Sequence, residues 1–410
     1  MWKALHPSSS YSYKDLAYLM SGLAQLAEQF IGREQEKEHP YYSELLILES
    51  LAKRKLHKSF SYRLQRTKAA IESDPRMDSA QLYSTYWLAQ IEDHHFNLQN
   101  TRAINPFIKS QDLQLNDYFV LSKLRLLCTM LNQKRVLGTQ AVFSWPDSSP
   151  EAYESENPVI QIYQCLYKLL SEDQRNAERF AHYQRLLNDL KDAVPPMESI
   201  NLYYFAINYC LGAINQGQQQ YAEQLLTIYQ SGLEAGHLLI NDELSPWIYK
   251  NIIKLGLGLR RFEWVEYIIR TYTEKLPAND REDAFYFNLA DLYYYQQKYD
   301  LAQEHLNKVE FSDVFYKHGA RIMLLKIFFE KDETEAFLSL AHSYKLLLLR
   351  ERNLAEDVKT SYRNFLRFTT KLYKTRDRAK LEGIRTEILR TKRINARRWL
   401  MRQFEVRLEH

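Results

Sequence analysis

The sequence predicts an all-α chain: an irregular α-solenoid of helix-turn-helix repeats that follows a helical N-terminal region. Three observations predict it. Apolar residues recur at helical spacing along most of the 410 residues. Gly and Pro number only 11 each, where average usage would supply roughly 7% and 5% of residues. That leaves little for β-hairpins or phosphate loops, and favours long helices with short links. Finally, small residues are placed to meet across adjacent periodic segments, most clearly between 283 and 310. With 45% hydrophobic and 26% charged residues, the chain is globular material rather than a disordered tail.

The elements follow in order. Leu16, Leu19, Leu23 and Leu26 fall on one helical face, which Phe30 continues. A second helix is predicted over 41–55 and a third over 57–72, stopped by Asp74-Pro75. Asp78 or Ser79 caps the next, which turns Leu82, Tyr86, Ala89 and Phe96 inward. Another helix spans roughly 116–133, with Leu121, Leu124, Cys128 and Leu131 as its apolar stripe. Residues 1–137 are thus a helical N-terminal region, and 138–158, with Pro146, Ser148, Ser149, Pro150 and Pro158, reads as a loop or linker. Helical pairs resume over 159–391. Ser171 and Gln174 have capping-box spacing for a helix through Leu190, closed by Pro195-Pro196. A last helix over 395–406 carries Trp399, Leu400 and Phe404 on one side, so that 392–407 caps the core. Leu408-Glu409-His410 resembles a truncated purification tag.

Within 283–310, Asn288-Leu289-Ala290 precedes Tyr293, a polar break at Gln296-Gln297-Lys298, and then Tyr299, Ala302 and Leu306. Ala290 and Ala302 let two antiparallel helices approach, while Leu289, Tyr293, Tyr299 and Leu306 fill the space around that contact. This unit resembles a tetratricopeptide repeat (TPR), with Tyr286 at the usual Trp position and Gln297 where a turn glycine is common. The resemblance implies neighbouring repeats, since one unit cannot bury its own apolar face. Tracking the small residue early in each second helix gives Ala177, Ala222, Val265, Ala302, Ala336 and Ala379, at intervals of 45, 43, 37, 34 and 43. Only one step equals the family's usual period, so the array is expected to be irregular. TPR arrays bind extended peptides or partner helices in an inner groove lined by first helices. The resemblance therefore implies a non-enzymatic protein-protein interaction scaffold or adaptor. It places Trp247, Lys250, Lys254, Phe287, Asp291, Tyr294, Tyr295, His318 and Arg321 along that groove.

No phosphate loop, nucleophile elbow or zinc-type Cys/His spacing occurs in the sequence, so no catalytic residue, cofactor or metal is expected. In Glu92-Asp93-His94-His95 the two histidines point about 100° apart on a helix, and the group reads as an exposed polar helix end. Cys128, Cys165 and Cys210 lie far apart and read as buried structural thiols, which suits a reducing cytoplasm. No run of about 18 apolar residues is present, so no membrane partner is expected. Charge is uneven. Residues 343–407 hold 19 Lys/Arg against 7 Asp/Glu, a net of +12 in a chain of +4. Arg397, Arg398 and Arg402 form its tightest cluster. A second reading follows, in which a regulatory protein contacts nucleic acid or an acidic partner through this basic end.

Overall fold

The computed structural model describes residues 12–39, 41–99, 103–137, 152–172, 174–190, 194–309, 314–352 and 354–409. Most of the expected linker, 138–151, lies outside them. The fold is all-α. Among the described residues are 18 α-helices, two single-turn 3₁₀ helices and one two-residue β-hairpin. The chain divides into two compact units, Met1–Ile228 and Tyr229–His410.

The first unit holds α1 (Tyr13–Glu38), α2 (Tyr42–Lys53), α3 (His57–Glu72), α4 (Ser79–Leu98), α5 (Phe107–Leu137), α6 (Pro158–Ser171), α7 (Ala177–Asp189) and α8 (Pro196–Asn215). The division itself falls inside α9 (Tyr221–Glu234). Asp78 caps α4 by accepting the Gln81 N–H at 2.8 Å, so the capping rule located that start. α5 begins well before the expected 116. Its stripe of Leu121, Leu124, Cys128 and Leu131 is buried, and the Cys128 thiol points at the Tyr163 carbonyl of α6. Leu45, Leu48, Phe60, Leu88 and Ile91 form a core between α2, α3 and α4. Two expectations need correction. The capping box at Ser171 is not used: Ser171 ends α6 and donates to the Tyr167 carbonyl at 2.8 Å. The cap of α7 is Asn176, which accepts the Arg179 N–H at 3.0 Å. The apolar face of α1 forms a helix, but Leu19, Leu23, Leu26 and Phe30 stay exposed.

The polar run on α4 is also not an exposed end. Glu92 is buried and paired with Lys68 at 2.6 Å. His95 stacks on core Phe60 with ring centroids 3.8 Å apart, and its Nε2 lies 3.0 Å from His57 Nδ1. Nearby, a second junction ties α4, α5, α6 and α8 together. The buried Glu198 carboxylate accepts from the Tyr163 hydroxyl and from Arg125 at 2.6 Å, and Arg125 also donates to Ser79. Burial pushes the thiols of Cys165 and Cys210 up to about 11 and about 12, and Cys128 well above its ordinary value. These three thiols are free and buried, which keeps them protonated and unreactive.

The second unit continues with β1 (Leu239–Ile240), β2 (Glu243–Leu244), α10 (Pro246–Gly258), α11 (Phe262–Tyr272), α12 (Arg281–Tyr295), α13 (Tyr299–Leu306), α14 (Val314–Glu330), α15 (Thr334–Arg350), α16 (Glu356–Lys374), α17 (Arg378–Arg390) and α18 (Arg397–Glu409). The two strands pair antiparallel around Asn241-Asp242, both at positive φ, which is the geometry of a tight hairpin turn. Three helical hairpins, α10/α11, α12/α13 and α14/α15, turn in one way. Arg260, Gln297 and Asp332 take φ of 57°, 62° and 55°. Their N–H groups donate back to Leu257, Tyr294 and Phe329, and the following N–H groups donate to Gly256, Tyr293 and Phe328. That pair of bonds is the Schellman motif, which satisfies orphan carbonyls and reverses the chain in two residues. Gln297, where the sequence lacks the common glycine, is the left-handed residue.

Close helix approach is equally local. Ala290 and Ala302 are fully buried in one cluster. Gly256 serves α10 likewise: a Cβ there would stand 2.5 Å from Val265 of α11. The expected register holds at Ala222, Val265 and Ala302, which are buried, but Ala177 and Ala379 are exposed and Ala336 is half-buried. In α7, α11, α13, α15 and α17 the buried contact falls on the fourth residue: Phe180, Val265, Ala302, Phe337 and Leu381. Size at that position varies from Ala to Phe, so searching for a small residue finds only some of these helices. α18 closes the far end: Trp399 packs edge-on against Phe329 and tilts onto Phe365.

Candidate functional site

The surface singled out by the sequence lies on α10, α12 and α14. Pro246 at the start of α10 fixes the first turn without needing an N–H. Trp247, Lys250 and Lys254 then recur at helical spacing along one face. Trp247 is 72% exposed, and the Lys250 ammonium stands 5.6 Å from its ring centroid. Lys254 reaches electrostatically to Asp291 of α12, which Lys326 of α14 also faces. Burial pushes the half-buried Asp291 carboxyl up, against the lowering pull of the two ammonium groups. Burial lowers the Lys326 ammonium, which Asp291 draws upward while Lys254 repels it. Two cations and one carboxylate of uneven sign thus share a partly desolvated patch. Tyr295 adds a half-exposed ring one turn beyond Asp291.

The remaining residues divide between this surface and the framework beneath it. Tyr294 donates its hydroxyl to Glu330 of α14 at 2.7 Å, and Tyr299 donates to the same carboxylate at 2.5 Å. Trp399 Nε1 and Gln403 Nε2 of α18 supply further donors at 2.5 and 3.3 Å. Glu330 therefore fastens α12, α13 and α18 to α14, and Tyr294 belongs to that fastening. Phe287 packs on α14, where a Cβ on Gly319 would come within 2.9 Å of its ring. His318 does not line the surface at all. It is 0% exposed, stacked on Tyr362, with Nδ1 3.2 Å from the Tyr344 hydroxyl and Nε2 3.4 Å from Glu351. Arg321 is half-buried one turn later and donates to the Lys317 carbonyl at 3.1 Å. The surface thus brings together Trp247, Lys250, Lys254, Asp291 and Tyr295.

Sequence reasoning missed Lys326 and Glu330. Lys326 was detectable, as a lone charge inside the apolar run Ile322-Met323-Leu324-Leu325-Lys326-Ile327-Phe328-Phe329; charged residues are rarely buried without a partner. Glu330 gave no such signal, because two of its donors lie roughly 70 residues away on α18.

The basic cluster on α18 is not a uniform patch. Arg397 spends its guanidinium on the last turn of α17, donating to the carbonyls of Ile388 at 2.8 Å and Leu389 at 3.2 Å and also to Thr391 and Lys392. Arginine placed there satisfies carbonyls that the helix end leaves unpaired. Arg398 and Arg402 remain exposed. Among the described residues no group of three or more His, Cys, Asp or Glu side chains is placed to hold a metal ion. Among the described residues no helix is long and apolar enough to cross a membrane. No protein-family model, curated protein or solved structure matches the chain.

Proposed function

We propose that the chain is a non-enzymatic protein-binding scaffold or adaptor built from TPR-like repeats and working in a reducing cytoplasm. Its partner, a peptide or helix, lies across the α10, α12 and α14 face. The observation that carries this reading is Trp247: a large aromatic left 72% exposed, on the helix face that leads through Lys254 to Asp291. Exposed aromatics flanked by cations make the anchors of protein interfaces, where Trp and Arg contribute most. The recurring Schellman turn supports the TPR-like reading.

The test uses the full chain as bait in native lysate, beside Trp247→Ala with Lys254→Glu. Both side chains are exposed, so the variant should keep the parent's melting point. Proteins enriched by the parent and lost from the variant support the reading. Equal capture by both baits, or turnover of a substrate that survives these changes, overturns it. The second reading, with nucleic acid or an acidic partner at the basic end, rests on the +12 charge of 343–407.

A further inference from the structure

Between α15 and α16 runs an open groove of about 680 Å³. Its floor is apolar: Ala341 and Leu348 of α15 and Leu366 of α16, all buried, with Leu338 and Leu349 as walls. Leu349 is 62% exposed although it belongs to the lining of an otherwise apolar trough. The rim is cationic. Arg363, Arg367, Lys371 and Lys374 fall at successive helical turns along α16, and Lys345 faces them from α15. Among the described residues no Asp or Glu lines the groove. Glu387 holds Lys371 at 2.7 Å and Glu356 holds Arg363 at 2.8 Å. Lys345, Arg367 and Lys374 have no ion pair among the described residues. Arg367 instead lies 4.4 Å over the Phe368 ring.

We infer that this groove docks an acidic amphipathic helix of a partner protein. Charge complementarity selects the partner's flanks, because three cations beside a carboxylate-free trough gain most from Asp or Glu on both sides of an apolar stripe. Length and width select a helix. From Leu338 to Leu349 the groove runs about 16 Å, three turns of a partner. A third helix seated between two others would complete the ridges-into-grooves packing that α15 and α16 leave open. Nucleic acid fits less well, since among the described residues no Phe, Tyr or Trp lines the groove to stack a base. A flat bilayer fits less well again, because Leu348 and Leu366 lie at the bottom of a concave surface. This site uses other elements than the Trp247 face and stands or falls separately from it.

The probe is a fluorescent, end-blocked helical peptide of about four turns, with leucines at i, i+3, i+4 and i+7 flanked by glutamates. Its control carries lysine for each glutamate. The full chain should bind the glutamate peptide with a Kd on the order of micromolar, weakening as salt screens the rim. Leu349→Asp should weaken binding at least about tenfold, and so should Arg367→Glu with Lys374→Glu. The double reversal should also transfer preference to the lysine peptide. These side chains are exposed, so circular dichroism and melting should match the parent. The inference is overturned if the glutamate peptide does not bind, binds no better than the lysine peptide, or is retained by Leu349→Asp. It is equally overturned if a short oligothymidylate, or vesicles of equal parts phosphatidylcholine and phosphatidylserine, compete for the same residues with equal affinity.

Discussion

His318 shows what burial does to a side chain that the family resemblance would put on a binding surface. It faces Tyr344, Glu351, Lys317, Arg321 and Tyr362. Burial lowers its pKa, and the Glu351 carboxylate offsets this only in part. A histidine whose folded pKa lies below its unfolded value binds its proton first in the unfolded chain. The stability it supplies is therefore complete above the ordinary histidine range and is lost as pH falls through that range. His95 and His305 are lowered by burial too and act in the same direction. The melting temperature should drop between about pH 7.5 and pH 5.5, within the usual histidine range. His318→Gln should reduce that drop while leaving the contribution of the other two. An unchanged pH profile in the variant would mean that His318 is not held neutral in the folded state.

At the scale of elements, the hairpin turns carry strain that the sequence did not need to carry. Gln297 and Asp332 sit at φ of 62° and 55°, where an L side chain costs roughly 1–2 kcal/mol and glycine does not. Glycine returns about half of that gain through its greater unfolded-state entropy. Gln297→Gly should thus stabilise the chain by about 0.5–1 kcal/mol, read as a higher urea midpoint with an unchanged slope. A lower midpoint would show that the Gln297 side chain has a role beyond the turn. The α12/α13 pair was legible because Ala290, the polar break and Ala302 all lie within one short segment. The fourth-residue register of the other second helices was not, because Phe180, Phe337 and Leu381 fill that contact with bulk. Packing tolerates either solution if the helices shift to suit. The start of α7 was misplaced for a related reason: Ser171 and Asn176 are both good caps by type, and only the backbone decides between them.

Across the whole molecule, the basic end was legible as charge but not as surface. A composition count weighs Arg397, Arg398 and Arg402 alike, yet Arg397 is consumed in ending α17. Others are drawn into pairs: Arg393 with Asp357 at 2.5 Å, Lys371 with Glu387, and Arg407 with Asp332 at 3.3 Å. What has no ion pair among the described residues is spread over the α15/α16 rim (Lys345, Arg367, Lys374), α17 and the residues just after it (Arg378, Lys380, Arg390, Lys392) and the exposed side of α18 (Arg398, Arg402). Phosphate binding by such scattered charges should be weak and should fall steeply with salt, by roughly 0.9 per neutralised phosphate in the logarithmic slope on duplex DNA. We therefore expect duplex DNA to be retained only at low salt and released near about 150 mM, the regime of non-specific contacts. Arg398→Glu with Arg402→Glu should flatten the salt slope slightly without changing the melting point, since both side chains are exposed. Sub-micromolar binding at that salt, lost in this double variant, would place nucleic acid ahead of protein as the partner. It would also require those two arginines to act together with Lys or Arg residues from α15 to α17, because two phosphates alone cannot supply such affinity.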